Sequence, residues 1–196
     1  MKIMQEVLIL KKLVHVNIIR LLEVFENQEN FFMVMEHSSS GDLLTRIKDH
    51  GRMTEGKAKS ILKQIAEGIA HCHHNNILHR DIKLDNILID QNMTAKICDF
   101  GVSRFIRTGE VINEQCGTPA YIAPEIITNQ GYSGYKSDIW SLGVLLYVMV
   151  TGMFPFTADN LPDLNKAICG GKVEYPAHLT EGCRDLIKWL LVVNVD

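Results

Sequence analysis

The chain has 196 residues, 46% of them hydrophobic and 22% charged, ordinary values for one globular domain or two closely packed lobes with a real core. A formal net charge of −3 gives no electrostatic case for nucleic acid or an anionic membrane as partner. Five scattered cysteines (72, 98, 116, 169 and 183) lack paired spacing, which argues for a reducing compartment and a cytoplasmic or otherwise intracellular protein, the nucleus included.

In chain order, residues 2–14 read as a helix with Ile3, Val7, Leu10 and Val14 on one face. Residues 19–25 and 31–36 read as strands joined by the polar turn 26–30. Gly41-Asp42 precedes a short helix over 43–49, for which Asp42 is a natural N-cap. Thr54 opens an amphipathic helix over 54–75, with Ala58, Ile61, Leu62, Ile65, Ile69 and Ala70 inward. Its polar end, His71-Cys72-His73-His74, lacks the four-ligand spacing of a structural zinc site, and cations suit a helix C-terminus. A hairpin follows over 87–90 and 94–98. The apolar run Ile139–Phe156 is interrupted by Ser141, Gly143, Thr151, Gly152 and Pro155. A span needs about 20 mainly apolar residues, so this reads as a buried core helix and not a membrane segment. Further helices are expected over 163–169 and 180–193.

Three motifs stand in order: His79-Arg80-Asp81 with Lys83 and Asn86 downstream, then Asp99-Phe100-Gly101, then Ala123-Pro124-Glu125. Each acid alone is an ordinary turn or cap residue. Together they resemble the signature set of protein kinases, and the match extends over nearly the whole chain. The resemblance implies an α+β, protein-kinase-like fold: a remnant of the β-rich N-lobe (1–36), a hinge (37–41) and a mainly α-helical C-lobe (42–196).

The chemistry implied is phosphoryl transfer from ATP with Mg²⁺, which depends on positioning and charge neutralisation more than on covalent chemistry. By resemblance Asp81 orients the acceptor hydroxyl and takes its proton, and Lys83 neutralises the transferring phosphate. Asn86 and Asp99 hold the metal, a hard ion that prefers oxygen. The backbones of Glu36 and Ser38, next to the gatekeeper Met35, bond the adenine. Leu88 floors it, and Asp42 contacts the ribose. Glu6 matches the glutamate of the N-lobe helix, standing ten residues before Val16, with a surface pair to Lys2 as the plainer reading. His79, Phe100, Leu10 and Leu21 match a stacked apolar spine, and Asp138 matches the acid that braces the catalytic loop.

Lys83 and the segment Cys116–Glu125 resemble the serine/threonine branch, with Thr118 bonded toward Asp81 and Lys83, and the calcium/calmodulin-dependent or AMP-activated-like group in particular. Arg80 marks kinases whose activation segment is ordered by a phosphorylated residue. Three positions before Gly117, where relatives carry that residue, this chain has Glu114. A standing carboxylate on Arg80 and a solvated loop glutamate are both open readings there, and Thr108 is a second regulatory candidate. Protein substrates with basic residues near the phosphosite follow from Asp42 and Asp85, without nucleic acid or membrane.

No Gly-rich phosphate loop or strand lysine stands before Glu6, and the chain stops at Asp196 before the arginine that, by the resemblance, pairs with Glu125, a loss typically worth about 3–5 kcal/mol. The expectation is therefore a kinase represented by an incomplete domain, with a non-catalytic, kinase-like interaction module as the alternative.

Overall fold

The computed structural model describes residues 2–129 and 131–194, Lys2 by its backbone alone. The expected Lys2–Glu6 pair and the chain end at Asp196 therefore lie outside the described residues.

Helix α1 (Lys2–Lys12) turns Val7, Ile9 and Leu10 inward, with Leu13 just beyond its end. Ile3 and Val14, expected on that face, are 49% and 74% exposed. The helix stops at Lys12, so Val14 is no longer in helical phase, and Ile9 with Leu13 defines the inward side. Strands β1 (Leu21–Glu26) and β2 (Phe31–Met35) pair antiparallel, with an irregularity between Leu21 and Glu23. The side chain of Asn27 accepts the N–H groups of Glu29 and Asn30 and so closes their turn. A two-stranded ribbon leaves much of both faces open, and Phe25 stacks on Phe32 with Leu22 and Val34 exposed nearby.

Helix α2 (Leu43–His50) starts at its Asp42 cap, and α3 (Glu55–His74) follows. On α3 the inward stripe includes Gly68, whereas Ala70 faces solvent. A Cβ at Gly68 would lie 2.7 Å from Ile97 Cδ1 and 3.1 Å from the Asn17 carbonyl. Glycine thus permits the close approach of α3 to the hairpin. That hairpin, β4 (Ile87–Ile89) with β5 (Ala95–Ile97), pairs Leu88 with Lys96. A smaller pair, β3 (Ile77–Leu78) with β6 (Arg104–Phe105), brackets the segment that carries this hairpin.

The rest is helical: α4 (Pro124–Thr128), α5 (Gly134–Thr151), α6 (Leu161–Gly170) and α7 (Glu181–Leu190). The last ends earlier than the expected 193. Helix α5 is buried nearly all round because α3 and α7 pack against it. Gly143 lets Leu190 and Leu191 approach so closely that a Cβ there would sit 2.8 Å from each. The fold is α+β, a small helix-and-ribbon part on a mainly helical body. Among the described residues no helix is long and apolar enough to cross a membrane.

Glu125 opens α4 with both carboxylate oxygens buried and, among the described residues, without a hydrogen-bond partner. Burial pushes its pKa up, only partly opposed by its own nearby backbone N–H and then by the charge of Lys136. A carboxylate whose folded pKa is raised costs stability progressively as pH climbs from the ordinary value through the raised one, and fully above it. Glu125→Gln should therefore raise Tm at pH 7, with the gain fading toward pH 4. About 1 kcal/mol is expected, the low end for an uncompensated polar group, because solvent reaches part of the side chain. Calorimetry at the two pH values checks this, and an equal gain at both would remove the ionisation argument.

Candidate active site

The loop after β3 reverses sharply, with Arg80 at φ 68°, a left-handed conformation that a non-glycine residue adopts only when its surroundings fix it. What fixes it is Asp138, near the start of α5 and 1% exposed. Its Oδ2 accepts the His79 N–H at 3.1 Å and its Oδ1 accepts the Arg80 N–H at 2.9 Å. His73, at the end of α3, places Nε2 2.8 Å from Oδ2. The histidine cluster at that helix end thus contributes a brace for the loop, and its partner lies 65 residues away.

His79 is fully buried and packs edge-on to Phe100, ring centroids 4.9 Å apart. Its Nε2 lies 3.2 Å from the Cys98 carbonyl, and Nδ1 receives the Asp81 N–H at 3.3 Å. One ring nitrogen must donate and the other accept, which assigns a neutral ring protonated on Nε2. Burial lowers the pKa in the same direction, against the nearby Asp138 carboxylate.

Asp81 gathers the centre. Its Oδ1 accepts both the Thr118 N–H at 2.9 Å and the Thr118 hydroxyl at 2.8 Å. Lys83 Nζ stands 3.1 Å from Oδ2 and 3.2 Å from the Thr118 hydroxyl, closing a triangle of carboxylate, ammonium and hydroxyl. Asn86 directs its amide nitrogen at the Asp81 carbonyl (2.9 Å) and Oδ2 (3.3 Å). Its amide oxygen is thereby left available as a ligand.

Asp99 is also left-handed, at φ 61°, and accepts the Gly101 N–H at 3.2 Å. A Cβ on Gly101 would lie 3.2 Å from Asp99 Oδ1 and 3.7 Å from Glu6 Oε2. Glycine lets the turn pass between two acids from distant segments. Burial, and then the Asp99 charge, raise the Glu6 pKa against a bond from the Phe100 backbone. Like charges brought together in this way favour a bound cation. Among the described residues no group of three or more His, Cys, Asp or Glu could enclose a metal. Asn86 and Asp99 are residues that could offer oxygens to Mg²⁺, an ion that needs few protein ligands when phosphate and water fill its shell.

On the hairpin, Leu88 and Lys96 share one face. Glu36 is held by Arg20 through both backbone and side chain: its N–H donates to the Arg20 carbonyl at 2.9 Å, and its Oε1 accepts the Arg20 N–H at 2.8 Å. Among the described residues no hydrogen bond reaches the Glu36 carbonyl or the Ser38 N–H, and the buried Ser38 hydroxyl has no partner. Asp42 accepts the Thr45 N–H and hydroxyl, each at 2.8 Å, so its capping role is realised. At Cys98, beside Asp99, burial pushes the thiol pKa up to about 11, away from the thiolate form.

In the segment that follows, Arg80 Nε donates to the Val102 carbonyl at 2.7 Å and Nη1 reaches Glu114 Oε2 at 2.9 Å. Arg104 pairs with Glu110 and lies 3.7 Å from Glu114. The Tyr132 hydroxyl donates to the Glu114 carbonyl at 2.7 Å, and Gln115 donates to the carbonyls of Ile126 and Ile127. Thr108 is exposed and outside this cluster. Nothing in local spacing marks Arg104 and Tyr132 as partners of Glu114, or Glu110 as the partner of Arg104, so the sequence alone does not point to them.

The protein kinase domain profile matches residues 1–196, the whole chain. The loop braced by Asp138, the acid–lysine–threonine triangle and the two facing acids lie inside that match, and the chain belongs to the protein kinase family, a family of phosphotransfer enzymes.

Proposed function

We propose that this chain is a serine/threonine protein kinase of the calcium/calmodulin-dependent or AMP-activated-like kind, using ATP and Mg²⁺. The observation that carries the reading is the Asp81–Lys83–Thr118 triangle. An acceptor hydroxyl entering beside Asp81 finds a carboxylate to orient it and receive its proton, with an ammonium ready for the transferring phosphate. Thr118, bonded to both, ties the substrate-facing segment to the catalytic loop. Asn86 and Asp99 would hold the metal, which supplies charge neutralisation for the phosphates when bound. The free Glu36 carbonyl and Ser38 N–H fit the acceptor–donor edge of adenine, above Leu88 and beside Asp42. On this reading residues 37–41 form the hinge between the lobes. Asp42 and the exposed Asp85 favour basic protein substrates. Five free cysteines fit an intracellular site of action.

Regulation follows from Arg80. The two arginines at 80 and 104 face the two glutamates at 110 and 114, so carboxylates already stand against these arginines without phosphate. We assign Glu114 as the standing anion that orders this segment, weaker than a phosphate with nearly two charges, and Thr108 as an auxiliary site.

Asp81→Asn should lower phosphoryl transfer to serine and threonine peptides by roughly 10²–10⁴-fold while nucleotide binding persists. Transfer surviving that change would overturn the assignment. A wild-type chain that binds nucleotide yet transfers nothing would instead be a kinase-like interaction module. Glu114→Gln should loosen residues 107–116, read as faster limited proteolysis and reduced transfer. Unchanged cleavage and rate would remove Glu114 from the regulatory set.

A further inference from the structure

We infer that Lys96 is a positioning residue for nucleotide recognition, a clasp that sets the Glu36 carbonyl relative to Asp99; this rests on the nucleotide reading above. Lys96 lies on β5 with Leu88 opposite it on the same face of the hairpin. Its ammonium is 3.0 Å from Glu36 Oε1 and 3.0 Å from the Val16 carbonyl. The same Glu36 oxygen accepts the Arg20 N–H, and the Glu36 N–H returns to the Arg20 carbonyl. Four separate segments meet here: the turn after α1, the start of β1, the exit of β2 and the hairpin that runs into Asp99.

The geometry separates this pair from an ordinary surface bridge. The side chains of Lys96 and Glu36 are only 14% and 26% exposed, so the pair is shielded from the screening that leaves exposed bridges nearly neutral in energy. Backbone bonds tie β5 to the turn on the same side, Ile19 N–H to the Ile97 carbonyl at 2.8 Å and Ile97 N–H to the Asn17 carbonyl at 2.9 Å. With β5 fixed against the turn, Lys96 carries that fixed frame out to the hinge. The Glu36 N–H and Oε1 are both committed, and among the described residues no hydrogen bond reaches its carbonyl, which is left for a ligand. Lys96 also stands three residues before Asp99, so one short strand sets both the adenine end and the metal end of the cleft. A ligand that bonds the hinge and the metal at once needs that spacing preorganised.

The test is equilibrium binding of a fluorescent ADP analogue to the full chain and its variants, with and without Mg²⁺, alongside melting temperatures and steady-state kinetics. Lys96→Met should weaken binding about tenfold, the worth of one charge-assisted hydrogen bond, in both conditions. The loss should fall on KM for ATP more than on kcat, and Lys96→Arg should recover most of it. Glu36→Gln should show a similar loss, and the double variant should be no weaker than the worse single one, as expected for a shared interaction. Wild-type affinity in Lys96→Met overturns the clasp while leaving the nucleotide reading intact. Additive losses, or a fall in melting temperature matched by affinity that Lys96→Arg does not restore, also overturn it in favour of a purely structural bridge. No binding by the wild type overturns the nucleotide reading, and the clasp with it.

Discussion

The buried carboxylate of Asp138 is the constraint on which the active-site loop depends. A carboxyl group only 1% exposed is expensive to bury unless its lone pairs are filled. Here they are filled by two consecutive backbone N–H groups and one imidazole. The two amides reach the two oxygens of one carboxylate, and Arg80 takes the left-handed conformation at this turn. The three hydrogen bonds to Asp138 thus offset both the cost of burying the carboxylate and the strain in the backbone. Asp81 emerges from this turn with its direction already set, and helix α5 transmits that direction from the centre of the helical body.

Charges elsewhere in the site follow a similar logic of local balance. Asp81 is matched by Lys83 and by two donors from Thr118. The arginines at 80 and 104 are matched by the glutamates at 110 and 114. Glu36 is matched by Lys96. The exceptions are informative. Glu6 and Asp99 approach each other across Gly101, and burial with like-charge repulsion raises the Glu6 pKa. Their proximity favours a cation between the small part and the loop. Glu125 is the second exception, a buried acid without a hydrogen-bonding partner among the described residues.

Much of the fold was legible in the residues. The turn at Asn27, the cap at Asp42 and the helical stripe of α3 were all carried by local chemistry, and the structure has them. Errors fell where periodicity was extended past a boundary or applied to a small residue. Val14 lies beyond the end of α1, Ala70 faces solvent, and Gly68 is inward because Ile97 needs its missing side chain. The motif residues Asp81, Lys83, Asn86 and Thr118 could be gathered from sequence because their order resembles a family. Arg104, Tyr132, His73 and Lys96 could not, since each meets a partner that no local pattern identifies.

The sequence by itself determined the elements, the family resemblance and the inventory of acids, amides and bases at the site. Those depend on spacing of a few residues and on side-chain chemistry, both of which are local. Only the tertiary structure decided which charges meet: His73 with Asp138, Glu114 with Arg80, Glu36 with Lys96, and Glu6 beside Asp99. These partners are separated by tens of residues or more, and an ion pair leaves no periodic trace along the chain. Their meeting is fixed by where α1, α3, α5 and the hairpin pack, and packing is a property of the whole core.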